Sequence, residues 1–240
     1  MAILMEDTDL ESERFLVRAW QANSASAVSR KLAQSWHLAA FMKQKGEHEP
    51  LAITFEILDH LTTLKVNYLV GGSIASSFFG EPRFTQDTDL EVCINTAQLT
   101  ALLDLVKNHF DVNQEAAFEA LRRRSSFHLI HFQSQFKIDI FCSRDRPYDR
   151  QRMSRRQLLP EMPANFWVSS AEDMVITKLD WYRQGGEISD CQWRDVLSIL
   201  ATQAQRLDYA YMSQWAQNLN LTPLLEKALA QVKPLLPGAG

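Results

Sequence analysis

Residues 66–94 read VNYLVGGSIASSFFGEPRFTQDTDLEVCI. The apolar run VNYLV predicts a strand, Gly71 and Gly72 predict a tight turn after it, and SIASSFF predicts a short helix that ends at Gly80. DTDLEVCI then alternates polar and apolar residues, as a strand with one buried face does. This succession predicts a small mixed α/β core.

The second strand carries two carboxylates on one face. Asp87 and Asp89 are two residues apart, so their side chains leave the same side of the strand and can converge on one cation. A third carboxylate, Asp139, lies in the apolar strand FKIDIF (136–141), which is predicted to form a hairpin with SFHLIHF (126–132). A buried carboxylate without a partner is costly, and a metal ion is the simplest partner.

We call Asp87, Asp89 and Asp139 the carboxylate row. Oxygen ligands favour Mg²⁺, with Mn²⁺ as the alternative ion, and two such ions would organise in-line attack on a nucleotide phosphorus. Asp87 and Asp89 are predicted to hold the metals. Asp139 is predicted to ligate the catalytic ion and to take the proton of the acceptor hydroxyl.

A glycine turn precedes the short helix. Gly71, Gly72 and Ser73 place free backbone N–H groups and the positive helix end where a triphosphate can lie. Two glycines after a strand also suit an ordinary structural turn, and a D-x-D pair also suits a solvated strand face. The turn, the D-x-D strand and the later Asp139 together favour a nucleotide site.

Residues 71–92 resemble the nucleotidyltransferase superfamily, in the branch related to the AbiEii-type toxins of bacterial toxin-antitoxin systems. Members of this branch have the pattern GG-x-A-x-x-x-x-G-x-x-R-x-T-x-D-h-D, where h is apolar. The residues that match it are Gly71, Gly72, Gly80, Arg83, Thr85, Asp87 and Asp89. Thr88 stands where the family usually has an apolar residue. The resemblance implies an α+β nucleotidyltransferase fold, a small mixed β-sheet flanked by helices, followed by an α-helical C-terminal domain.

The same resemblance implies a Mg²⁺-dependent enzyme that transfers a nucleoside monophosphate from a nucleoside triphosphate to a hydroxyl, in some relatives at the 3′ end of tRNA. Asp139 fits the family's third acid. A helical Lys and a downstream Asp of the family correspond to Lys178 and Asp195, while Ser198 takes the place of a second acid.

The resemblance implies a nucleotide-binding role for the residues that match its motifs. Lys178 would contact the triphosphate, and Asp195 would orient Lys178 or a neighbouring arginine. The alternatives are a solvated helix lysine and an aspartate of a helix interface. The predicted nucleotide-binding residues are Gly71, Gly72, Ser73, Arg83, Thr85, Lys178 and Asp195.

The 240 residues are enough for two modest domains. Residues 1–50 are predicted to be an N-terminal helical extension, residues 51–145 the nucleotidyltransferase core and residues 146–240 a helical domain. No run approaches the roughly 18 apolar residues that a membrane span needs. The acidic start predicts a cytoplasmic protein without a membrane partner. The widely spaced Cys93, Cys142 and Cys191 are predicted to be buried thiols.

The net charge of −4 hides a basic stretch directly after the strand that holds Asp139. This stretch either grips an RNA backbone beside the site or is a solvated basic loop. Its arginines are Arg144, Arg146, Arg150, Arg152, Arg155 and Arg156.

Three functions are compatible with these features. The first is an active nucleotidyltransferase that modifies RNA or a protein, linked to a toxin-antitoxin system with a cognate antitoxin as partner. The second is a catalytically inactive nucleotidyltransferase-fold module for binding, antitoxin or regulatory roles. The third is a transferase of the antibiotic-modifying type, which shares the chemistry and differs in its acceptor.

Overall fold

The computed structural model describes residues 50–81, 83, 85, 87–159, 162 and 165–232. The described residues all belong to one compact unit. The predicted N-terminal extension lies outside the described residues, apart from Pro50, at which the first helix begins.

Helices and strands alternate along the chain from α1 to the fourth strand, and the order is mixed after it. The helices are α1 (Pro50–Thr63), α2 (Gly72–Phe79), α3 (Thr96–Val106), α4 (Gln114–Arg123), α5 (Pro147–Ser154), α6 (Ala171–Gln184), α7 (Asp190–Gln203), α8 (Tyr209–Asn218) and α9 (Thr222–Val232). The strands are β1 (Asn67–Val70), β2 (Asp87–Cys93), β3 (Phe110–Asp111), β4 (Ser126–His131), β5 (Lys137–Cys142), β6 (Gln157–Leu158) and β7 (Trp167–Val168).

The strands form one mixed sheet in the order β3-β4-β5-β2-β1-β7-β6. Strands β2 and β5 are parallel neighbours, as are β1 and β7, and the remaining pairs are antiparallel. The predicted β4–β5 hairpin is confirmed. The predicted α+β class, a mixed sheet flanked by helices, is also confirmed.

One face of β2 belongs to the apolar core. Leu90 and Val92 are fully buried, and so is Thr88, the second residue of the strand. The Thr88 hydroxyl hydrogen-bonds the Thr54 hydroxyl of α1 at 2.7 Å, so a polar group at a core position is satisfied by its neighbour. This explains how the strand accepts Thr88 where the family usually has an apolar residue.

Helices α6 to α9 form a second buried cluster together with Ala75 of α2 and Tyr148 of α5. Gly80 permits this packing, because a Cβ there would lie 2.5 Å from the Ser198 hydroxyl of α7. Strands β6 and β7 lie within the residues predicted as a helical domain and extend the sheet beside β1. The division near residue 145 remains a prediction.

The prediction of three buried thiols is wrong for two of them. Cys142 is buried in β5, whereas Cys93 and Cys191 are exposed. Cys93 is the last residue of β2, and Cys191 lies in the first turn of α7, where the neighbouring elements leave these side chains uncovered. Among the described helices, none combines the length and apolar character that crossing a bilayer requires.

Candidate active site

The glycine turn lies directly against the D-x-D strand. The Gly71 backbone N–H donates to the carbonyl of Asp89 at 2.8 Å. Gly72 has φ of +57°, and a Cβ at this position would lie 1.6 Å from Asp89 Oδ2. Only glycine fits here, because both the left-handed backbone and the adjacent carboxylate exclude a side chain. The turn thereby fixes the Asp89 carboxylate at the beginning of α2.

The pairing of β2 with β5 brings the carboxylate row together. Asp89 is the register partner of Asp139, and Asp87 is the partner of Lys137. Because directly paired residues point to the same face of a sheet, all three aspartates share the face opposite the Leu90 core. His128 of β4 is the register partner of Asp139 and extends the row by one strand.

The row concentrates negative charge in a partly buried place. Burial, and then the charges of Asp87 and Asp139, raise the pKa of the Asp89 carboxyl to about 6. Lys137 opposes this charge, with its Nζ 2.6 Å from Asp139 Oδ2 and 3.8 Å from Asp87 Oδ2. Sequence reasoning overlooked Lys137 because it described FKIDIF as apolar. Its spacing of two from Asp139 was the available signal.

Thr85 holds Asp87 in place. Its hydroxyl donates to Asp87 Oδ1 at 2.9 Å, with a longer contact of 3.2 Å to the Asp87 carbonyl. In this structure the predicted nucleotide-binding Thr85 contacts the carboxylate row itself.

Arg83, Lys178 and Asp195 meet beside the beginning of α2. Arg83 Nη2 donates to the Ser73 hydroxyl at 2.6 Å, and its Nε lies 3.2 Å from Asp195 Oδ1. Lys178 Nζ is 2.8 Å from Asp195 Oδ2. Asp195 therefore connects α7 to both basic side chains, and through Arg83 to the glycine turn.

Lys178 is 3% exposed, so the alternative of a solvated helix lysine is wrong. Burial lowers the pKa of its ammonium, and Asp195 opposes that shift. Burial acts to raise the pKa of Asp195, but the ion pairs with Lys178 and Arg83 outweigh it and hold that pKa below its usual value. The 2.8 Å contact between Lys178 Nζ and Asp195 Oδ2 holds both side chains in place.

Asp195→Asn is expected to destabilise the protein by about 3 kcal/mol, because it leaves the Lys178 ammonium buried without its counter-ion. Urea unfolding measures the change. A Lys178→Met/Asp195→Asn double variant is expected to recover most of the lost stability but not transfer activity. The control is Asp104→Asn, which removes an exposed pair with Lys107. An Asp195→Asn effect below about 0.5 kcal/mol, the range of surface substitutions, would contradict this account.

A cleft of about 380 Å³ opens beside the turn and the row. Its lining includes the predicted nucleotide-binding residues Gly71, Gly72 and Lys178. Asp89 of the carboxylate row also lines it, whereas Asp87 and Asp139 are not among its lining residues. It also includes basic side chains from three segments, namely Arg124, Arg144, Arg146 and Arg152. Phe141 and Trp181 form an edge-to-face pair in its wall, with ring centroids 5.6 Å apart. The size and chemistry of the cleft suit a nucleotide and part of an acceptor.

Most of the basic stretch is helical or internally bonded rather than a solvated loop, and Arg144 stays exposed between β5 and α5. Residues Pro147–Ser154 form α5, where the Asp149 carboxylate accepts from the Arg146 N–H at 3.1 Å. Arg152 is buried and forms an ion pair with Glu91, so it is unavailable to RNA. Asp145 and Asp149 within the stretch supply some of the partners, and distant elements supply the others. The other internally bonded arginines are Arg146 with Asp149, Arg150 with Asp145, Arg155 with Glu172 and Asp173, and Arg156 with Asn67.

The carboxylate row has the donor chemistry that a hard divalent cation prefers. Burial, and then the charges of Asp87 and Asp139, raise the pKa of the Asp89 carboxyl, and a bound cation would favour its ionised form. In the part of the chain that the structure describes, no three acidic, histidine or cysteine side chains form a ready metal-binding group. The row fits a metal by its oxygen ligands and charge, and Lys137 must then release Asp139.

The class of protein follows from three features of this site, and that class is the nucleotidyltransferases. The features are a strand followed by a glycine turn, a D-x-D pair against that turn, and a third aspartate on the neighbouring parallel strand. The chain belongs to the family described as nucleotidyl transferase AbiEii toxin, Type IV TA system, whose sequence model matches residues 57–195. The predicted relation to the AbiEii-type branch is thereby confirmed, and the protein is a nucleotidyltransferase that transfers nucleoside monophosphates. No curated protein matches the chain.

Several solved structures are similar in fold. An antigenic nucleotidyltransferase-like protein from Paracoccidioides brasiliensis is 16% identical, with 76% of this chain and 93% of that chain covered and a TM-score of 0.49. The antibiotic-resistance factor ANT(2'')-Ia is 12% identical, with 74% and 91% covered and a TM-score of 0.43. The lincosamide antibiotic adenylyltransferase LnuA is 14% identical, with 61% and 93% covered and a TM-score of 0.38. These likenesses are distant, and the family assignment rests on the sequence match.

Proposed function

We propose that this nucleotidyltransferase depends on Mg²⁺ and transfers a nucleoside monophosphate from a nucleoside triphosphate to a hydroxyl of RNA, with the 3′ end of tRNA as the candidate acceptor. We further propose that it acts as the toxin of a toxin-antitoxin pair with a cognate antitoxin. The observation that carries the proposal is the in-register pairing of Asp89 with Asp139 beside Gly72.

The glycine turn and Lys178 would bind the triphosphate. The first N–H groups of α2 have no acceptors within the helix and point along its positive end. Lys178 lines the same cleft and is held by Asp195. Arg83 fixes the Ser73 side chain at the helix start, so the turn keeps its shape when phosphate oxygens replace water.

The carboxylate row would direct the chemistry. When bound, Mg²⁺ ions supply charge neutralisation and activation of the acceptor hydroxyl. The Asp139 carboxylate takes the hydroxyl proton as the acceptor oxygen bonds to the α-phosphorus. The bond from that phosphorus to the bridging oxygen breaks, and pyrophosphate leaves with the electron pair. Thr85 keeps Asp87 oriented during this exchange.

The cationic rim of the cleft supports a polyanionic acceptor. Arg124 ends α4 with a left-handed backbone and Arg144 follows β5, and both side chains are exposed and line the cleft. Phosphate contacts by such side chains dominate affinity for RNA. The family description supports the toxin role.

The alternative of an inactive module loses its main support. Thr88 departs from the family pattern, but its hydroxyl is satisfied by Thr54 in the core and leaves the carboxylate face unchanged. Ser198, which stands in place of a second acid, accepts a hydrogen bond from the Glu81 N–H and joins α7 to the end of α2.

Incubation with each labelled nucleoside triphosphate, Mg²⁺ and either tRNA or total cellular protein tests the proposal. Label is expected on tRNA. The double variant Arg124→Glu/Arg144→Glu is expected to raise the KM for tRNA by about tenfold or more and to flatten its salt dependence, with nucleotide affinity unchanged.

Arg122→Glu is the matched control, because Arg122 is bound to Glu119 of the same helix. Label on protein alone would contradict the RNA acceptor. An unchanged KM for tRNA in the double variant would contradict the role of the arginine rim.

A further inference from the structure

Lys137 is the cation of the carboxylate row. Its Nζ lies 2.6 Å from Asp139 Oδ2 and 3.8 Å from Asp87 Oδ2, and its side chain is 43% exposed. The backbone puts it there, because Lys137 is two residues before Asp139 on β5 and is the register partner of Asp87 on β2.

We infer that Lys137 is a built-in counter-ion that competes with divalent cations for the row, so that the metal binds firmly only together with the nucleoside triphosphate. The inference rests on the proposed function of the row as a metal site. It assigns Lys137 a positioning role rather than a catalytic one.

The Lys137 ammonium and a divalent cation would compete because both are positive and both bind the same oxygen of Asp139. Asp139 Oδ2 accepts from the Lys137 ammonium at 2.6 Å, and a metal at this oxygen would lie beside a positive charge. A divalent cation that arrives alone must therefore displace the ammonium, and it brings no negative group to which the ammonium can bind. A cation that arrives with a triphosphate brings negative phosphate oxygens, and the displaced ammonium can bind to these.

The partial exposure of Lys137 allows this exchange. With 43% of the side chain accessible, the flexible lysine stem can swing from Asp139 toward a ligand without opening the core. The other lysine near the site, Lys178, is buried and held by Asp195, so it does not have this freedom.

Binding of Mn²⁺ alone to the nucleotide-free protein, followed by electron paramagnetic resonance, tests the inference. Lys137→Met is expected to bind Mn²⁺ about tenfold more tightly than the wild type, given the size of a single charge interaction at a partly exposed site. Lys137→Gln is expected to do the same. Lys137→Arg keeps the charge and is expected to match the wild type.

Lys107→Met is the matched control, because it removes the same charge from an exposed pair with Asp104. With a non-hydrolysable triphosphate present, the advantage of Lys137→Met over the wild type is expected to disappear. Equal or weaker Mn²⁺ binding by both Lys137→Met and Lys137→Gln would overturn the inference, provided that the wild type binds Mn²⁺ with the nucleotide and Asp89→Asn does not. Absence of Mn²⁺ binding in every variant, with and without nucleotide, would instead overturn the proposed metal site, and the inference with it.

Discussion

Asp89→Asn is expected to lower the rate of nucleotidyl transfer by about 10³-fold or more, the loss of several kcal/mol of transition-state stabilisation. Asp89 lies between Asp87 and Asp139 in the row and against Gly72 in the turn. Asparagine has nearly the same shape, so the turn is retained while the negative charge is lost. Incorporation of labelled nucleotide into tRNA measures kcat/KM.

The same substitution is expected to raise stability in EDTA at pH 7.5. Because the pKa of Asp89 is raised from 3.8 to about 6, its ionised form is unfavourable in the folded protein. The wild type therefore loses stability as the pH rises through this window, and the advantage of Asp89→Asn shrinks as the pH falls below it. Asp111→Asn is the control, because Asp111 is an exposed aspartate on β3 of the same sheet.

More than a tenth of wild-type turnover in Asp89→Asn would contradict the metal-ligand role.

Gly72→Ala is expected to abolish transfer and to destabilise the fold by about 2 kcal/mol or more. The new Cβ would lie 1.6 Å from Asp89 Oδ2 and 2.6 Å from Asp89 Cγ, so the carboxylate or the turn must move. The left-handed backbone adds a strain of about 1 kcal/mol. Thermal unfolding and the tRNA assay measure the two effects.

Gly186→Ala separates the clash from the strain. Gly186 also has a positive φ, of +77°, but a Cβ there meets nothing within 4 Å. This control is expected to lose about 1 kcal/mol of stability and to keep wild-type activity. If Gly72→Ala were as active as Gly186→Ala, the close packing of the turn against Asp89 would not matter for catalysis.

Much of the core could be predicted because local signals agreed with one another. The alternation in DTDLEVCI placed Asp87 and Asp89 on one face, and the hairpin of β4 and β5 followed from two apolar segments around a short polar turn. The register of β2 against β5 could not be predicted, because it depends on parallel pairing between Asp89 and Asp139, which are 50 positions apart in the sequence.

The surroundings of the site were less predictable. The basic stretch became α5 because Asp149 caps its first turn, and Arg152 became buried because Glu91 lies opposite it on β2. The ion pairs of Asp195 join residues far apart in sequence, and only the family resemblance indicated them. Long-range pairs of this kind depend on tertiary packing, which the hydrophobic periodicity of the sequence does not predict.

The most direct test is a crystal structure with Mn²⁺ and a non-hydrolysable nucleoside triphosphate, with anomalous scattering to locate the metal. The account predicts Mn²⁺ ligated by the carboxylates of Asp87, Asp89 and Asp139, with phosphate oxygens at the N–H groups of the Gly71–Ser73 turn. A triphosphate bound elsewhere, or a metal bound without these three aspartates, would contradict it.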